Sequence, residues 1–60
     1  MQENPIEIAE YLAKQHGIDG ALLEVRAGIN EALAQKDNYR LSIWRDVRRI
    51  LLNKKETPSG

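Results

Sequence analysis

Two interruptions, "HGID" at 16–19 and "QKDN" at 35–38, cut an otherwise continuous helical pattern into three stretches. Apolar residues recur at the three-to-four spacing of a helix on either side of both breaks, and nowhere does the alternation of a strand appear. Segments joined this tightly can bury their apolar stripes only by folding back on one another as antiparallel neighbours. The predicted fold class is therefore all-α, a small three-helix bundle with helices at about 5–16, 20–35 and 38–54. Residues 1–4 form an N-terminal cap, 5–54 the domain, and "KETPSG" at 55–60 a flexible polar tail.

The helix boundaries follow from capping chemistry. Asn4 before Pro5 reads as an N-cap with proline in the first helical position, and Glu7 completes a capping-box pattern. Gly17 suits the left-handed position that ends the first helix, with Ile18 packing back on its last turn. Asp19 is the expected N-cap of the second helix. Lys36 must end that helix without a glycine, and Asp37 caps the third. Lys54 and Lys55 complement the negative end of the third helix.

On a helical projection Ile8, Leu12 and His16 share one side of the first helix, with Ala9 beside them and Tyr11 on a flank. The second helix carries Ala21, Leu22, Val25, Ile29, Ala32 and Leu33 on one stripe. A weaker stripe of Leu23, Ala27 and Ala34 lies nearly opposite. Gly28 in its interior costs roughly 1 kcal/mol relative to alanine, which close approach of another helix would offset.

The third helix divides into two faces. Tyr39, Ile43, Trp44, Val47, Ile50 and Leu51 gather as a core face, which makes the single tryptophan a core filler rather than a stacking platform for a base. Leu41, Arg45, Arg48 and Leu52 follow the spacing i, i+4, i+7, i+11 on the other side, with Arg49 beside them. Leucines bracketing arginines on a face due to be solvated mark a candidate partner-binding stripe, since arginine anchors well in interfaces.

Bulk properties narrow what such a chain does. With sixty residues, no cysteine and one histidine, it has no disulfide, and the single histidine cannot build a metal site alone. Stability has to come from helix packing or from association. There is no glycine-rich phosphate loop and no nucleophile–base arrangement, and His16 with Glu10 and Asp19 is the one acid–base grouping in sequence. An enzyme is not expected, nor is a cofactor, a metal or a small-molecule substrate. No apolar run is long enough to span a membrane, and the acidic N-terminus does not resemble a secretory signal. The expected compartment is the cytoplasm.

Net charge is zero, yet residues 1–37 carry three basic and seven acidic side chains while residues 38–60 carry six basic and two acidic. That polarity in sequence bears on partner choice more than the total does. The expected function is a small non-enzymatic protein-interaction module working through Leu41, Arg45, Arg48, Arg49 and Leu52. Its partner would be another protein or a second copy of itself, as a homodimer. The alternative is a nucleic-acid-binding domain using the basic third helix, where Arg40, Lys54 and Lys55 join the arginines on phosphates. Overall neutrality and the missing glycine turn weigh against it. Insertion of the leucine–arginine face into a membrane surface is disfavoured because Trp44 lies with the core.

One resemblance bears on the layout. A helix ending in His16-Gly17, an alanine-rich second helix, an Asp37 cap after Lys36 and then Trp44 are loosely similar to small uncharacterised bacterial three-helix domains with an HG…(G/K)D…W pattern. The likeness spans most of residues 8–52 and implies the three-helix fold, with no activity to carry over.

Overall fold

A computed structural model describes residues 4–56. They form two helices, α1 over Pro5–Ala34 and α2 over Asn38–Glu56, joined by a short turn into a helical hairpin. The three-helix bundle is therefore not what forms. The reason lies at Gly17: helical residues resume immediately after it, so no loop separates the stretches expected as first and second helices. Gly17 itself is non-helical, at φ 74° and ψ 169°, and kinks α1 rather than ending it. That ψ is also far from the left-handed helical value, so no left-handed cap forms there. Asp19 does not open a new helix; its carboxylate is taken instead by Lys55 Nζ at 2.8 Å.

The kink has a packing logic. Ala9 and Ala21 are both fully buried, yet at about 100° per residue positions twelve apart stand about 120° away from each other on an unbroken helix. Breaking α1 at Gly17 frees residues 5–16 to turn their own apolar side inward. Pro5 and Ile6 then line a hollow with Asp46, Arg49, Ile50 and Asn53, so the start of α1 lies against α2. A straight helix of the length of α1 would run to about 45 Å, more than the 40 Å longest dimension of the molecule.

The remaining joints are built as capping rules require. Asn4 Oδ1 accepts a hydrogen bond from the Ile6 N–H at 2.9 Å, with Pro5 in the first turn. At the other end of α1, Asp37 N–H donates to Ala32 O at 2.9 Å and Lys36 N–H to Leu33 O at 3.1 Å. These are the paired bonds of a Schellman ending, and they require a left-handed residue at Lys36. Lys36 indeed sits at φ 56°, a conformation that costs a side-chain-bearing residue roughly 1–2 kcal/mol. Asp37 Oδ1 then accepts from the Arg40 N–H at 3.1 Å and starts α2. The second helix continues to Glu56, so residues 55 and 56 belong to it; residues 57–60 of the expected tail lie outside the described residues, as do residues 1–3 of the expected cap.

The core is small. Ala9, Ala21, Val25, Val47 and Leu51 are fully buried, with Ile8, Leu12, Ala13, Ile18, Leu22, Ile29, Ile43, Trp44 and Ile50 packed around them. Alanines on the facing stripe let the helices come close. At Gly28 a Cβ would stand 2.6 Å from Trp44 Cζ2 and Nε1, so the indole occupies the space a side chain would need. The ring is half-buried, and Glu24, Ala27 and Glu31 line a surface hollow beside it. That opening supplies the route to solvent that an indole N–H requires.

Candidate partner-binding face

Viewed end on, the hairpin has two sides, and the angular positions of its residues assign each one. On α2, taking Leu51 as facing α1, Ile43 and Ile50 stand about 80–100° to one side, while Arg48, Leu41, Leu52 and Arg45 stand about 60–120° to the other. Because α1 and α2 are antiparallel, the matching positions of α1 around Val25 are Leu22, Ile29, Leu33 and Arg26. The hollow shared by Leu22, Arg26, Ile29, Asn30 and Arg48 confirms that these two rows adjoin. Residues 5 and 6 pack on the opposite side, toward Ile50.

Among the described residues, nothing covers the side away from residues 5–16. Leu22, Ile29 and Leu41 are half-buried, whereas Arg26, Arg45, Arg48 and Arg49 are exposed. Leu33 is 55% exposed and Leu52 39% exposed. Arg45, Arg48, Arg49 and Leu52 meet around one hollow with Asn53 and Glu56. Leu41 lines neither hollow. It continues the row about three turns nearer the loop than Leu52.

Arg49 differs from the other arginines. Its guanidinium donates to Asp46 Oδ1 at 2.6 Å, an exposed i,i+3 pair, and it also lines a hollow together with Pro5 and Ile6. It stands on the outer ridge of α2 between the two sides. Such an exposed pair contributes well under about 1 kcal/mol to stability. Among the described residues Arg26, Arg45 and Arg48 form no ion pair; those present are Arg49–Asp46 and Lys55–Asp19.

Acidic side chains are segregated from this face. Within the rows 22–33 and 41–52 the acids are Glu24, Glu31 and Asp46. Glu24 and Glu31 flank Trp44, and Asp46 is turned to Arg49. The central part of the uncovered side thus presents aliphatic side chains and arginines, and Glu56 borders it at the end of the hollow beside Arg45, Arg48 and Arg49.

The stripe expected from the sequence was half of this surface. Leu22, Arg26, Ile29 and Leu33 on α1 repeat the spacing of Leu41, Arg45, Arg48 and Leu52, at i, i+4, i+7 and i+11. The repeat was visible in the sequence, but Leu22, Ile29 and Leu33 also fit a core stripe, and only the packing shows them at its margin. The opposite error occurs at Tyr39, placed on the core face by periodicity and 60% exposed in the structure. His16 and Tyr11 are exposed as well.

Among the described residues no three His, Cys, Asp or Glu side chains come together as a metal site, and no helix is long and apolar enough to cross a membrane. Comparison of the chain with family models, with curated proteins and with solved structures gives no match.

Proposed function

We propose that the chain is a non-enzymatic protein-interaction module whose working surface is the uncovered side of the hairpin. Leu41, Arg45, Arg48 and Leu52 of α2 act together with Leu22, Arg26 and Ile29 of α1. The observation that supports this reading is the lopsided covering of the hairpin. The N-terminal stretch of α1 shields one side, and a comparable aliphatic row on the other side meets solvent. Contiguous aliphatic residues rimmed by arginine are the composition of an interface more than of a bare surface.

Helix-in-groove docking is the mode that suits two parallel rows on adjoining helices. Nucleic-acid binding would use the same arginines, but the leucines between them offer nothing to a phosphate backbone. Panning a library of displayed helical peptides against the intact chain tests the reading. Binders that are lost on Leu52→Glu and Leu41→Glu, with helical circular dichroism retained, are the expected outcome. Absence of any binder sensitive to those positions overturns it. So does tight, salt-sensitive binding of duplex DNA or RNA that depends on Arg45 and Arg48.

A further inference from the structure

We infer that the occupant of the uncovered side is an amphipathic helix of another protein that carries carboxylates along both flanks of its apolar strip. This rests on the interaction-module reading and specifies the partner. Three features of the face select that chemistry.

The first is length. Leu22 to Leu33 and Leu41 to Leu52 each span eleven steps, about 16 Å of helix rise or three turns, so the face matches a helix of ordinary length. The second is the distribution of charge across the seam. By helical angle Arg26 stands at the outer edge on α1 and Arg45 at the outer edge on α2, and Arg48 shares a hollow with Leu22, Arg26 and Ile29. A helix lying along the seam would therefore meet guanidinium groups on both of its flanks and aliphatic side chains beneath it. Carboxylates satisfy those groups by charge-assisted, often bidentate hydrogen bonds.

The third feature disfavours a second copy of this chain. A two-fold contact through this face would set Arg26, Arg45 and Arg48 against their own copies, with Glu56 at the end of the Arg45–Arg48–Arg49 hollow as the carboxylate beside them, so arginine outnumbers acid and the juxtaposition opposes association. The chain's own acidic stretch is a poor substitute occupant. Its exposed apolar residues Ile6 and Tyr11 lie five positions apart, about 140° around the helix, and make no single strip. A head-to-tail contact of that kind would also tend to propagate as a filament instead of closing.

The experiment uses two synthetic helical peptides of about 18 residues, long enough to cover three turns with margins. Both carry the same leucine strip; one has glutamate on both flanks, the other glutamine. Fluorescence anisotropy with the full chain should give at least about tenfold tighter binding of the glutamate peptide at low salt, with the gap narrowing as ionic strength rises. The double variant Arg26→Gln/Arg48→Gln should remove most of the gap while leaving the circular dichroism spectrum unchanged. Equal binding of the two peptides, or a gap that survives the arginine substitutions, overturns the inference. Self-association abolished by Leu52→Glu, with no binding of either peptide, also overturns it, since a second copy then fills the face and the broader reading stands. Failure of both peptides in a chain that stays monomeric, with no displayed peptide recovered by panning, removes the inference and the reading together.

Discussion

The two sides of the hairpin are built from the same helices and similar side chains, but they meet different fates. On the covered side Ile43 and Ile50 of α2 pack against the core cluster, and Pro5 and Ile6 share a hollow with Ile50. On the other, Leu41 and Leu52 sit in an equally regular row, and none of the described segments crosses them. Periodicity is nearly equal for the two rows. What separates them is where residues 5–16 come to rest, and that is decided by one residue, Gly17. An apolar stripe on a helix thus states that something must cover it, without stating whether the cover is part of the same chain.

The strongest way to break the contrast is to straighten α1. Gly17 holds φ 74° and ψ 169°, a region open in practice to glycine alone, and forcing a side-chain-bearing residue into it costs about 1–3 kcal/mol. A Cβ there would touch nothing within 4 Å, so the cost is backbone conformation and not collision. Gly17→Ala should lower stability by that amount in a urea titration. In hydrogen exchange, residues 5–16 should lose protection while the 18–34 and α2 amides keep most of theirs.

A smaller effect comes from truncating one residue on each side. Ile50 is half-buried beneath the start of α1, and Ile50→Ala should cost about 1–2 kcal/mol, roughly half the range for a fully buried site. Leu52, the neighbour of Leu51 facing the other way, should tolerate Leu52→Ala within about 0.5 kcal/mol. Thermal melts of the two variants measure the contrast directly. Equal losses would mean that the uncovered row is already filled, by self-association under the conditions used.

The smallest effect sharpens the comparison from outside it. Lys36→Gly relieves a left-handed lysine that touches neither side, and should stabilise the hairpin by up to about 1 kcal/mol, less the added freedom of glycine in the unfolded chain. The same thermal melts report it. Because both sides share the turn, the spread between Ile50→Ala and Leu52→Ala should persist in the Lys36→Gly background.

Much of the local structure was legible in the sequence, and the reasons are local. Asn4-Pro5 and Asp37 start helices through hydrogen bonds made within three residues, so short-range chemistry determines them. The split of α2 into a Val47–Leu51 core face and an arginine–leucine face follows from periodicity within a single helix. What escaped sequence reasoning depends on placement. Gly17 marks a break in either architecture, but whether it ends a helix or kinks one depends on how Ala9 and Ala21 are buried together. Tyr39 fits the core periodicity, yet it lies about two turns nearer the loop than Asp46, which shares a hollow with Pro5 and Ile6, and it stays in solvent. The α1 half of the candidate face was hidden for a related reason: Leu22 and Ile29 serve the core and the surface at once.

The contact between Gly28 and Trp44 has a consequence for alignment. The two stripes that meet in the hairpin are otherwise rows of small and aliphatic side chains, in which a slide of one turn would exchange one alanine or valine contact for another. The indole admits no such exchange. Moved one turn either way along α1 it would meet Val25 or Ala32, each with a Cβ where the ring now lies. The largest side chain of the protein and a position of α1 without one therefore act as a key and its notch. They fix which turn of α2 stands beside which turn of α1. That register brings Arg48 level with Leu22 and Ile29, so the contact of one indole with one glycine determines the composition of a surface a turn away.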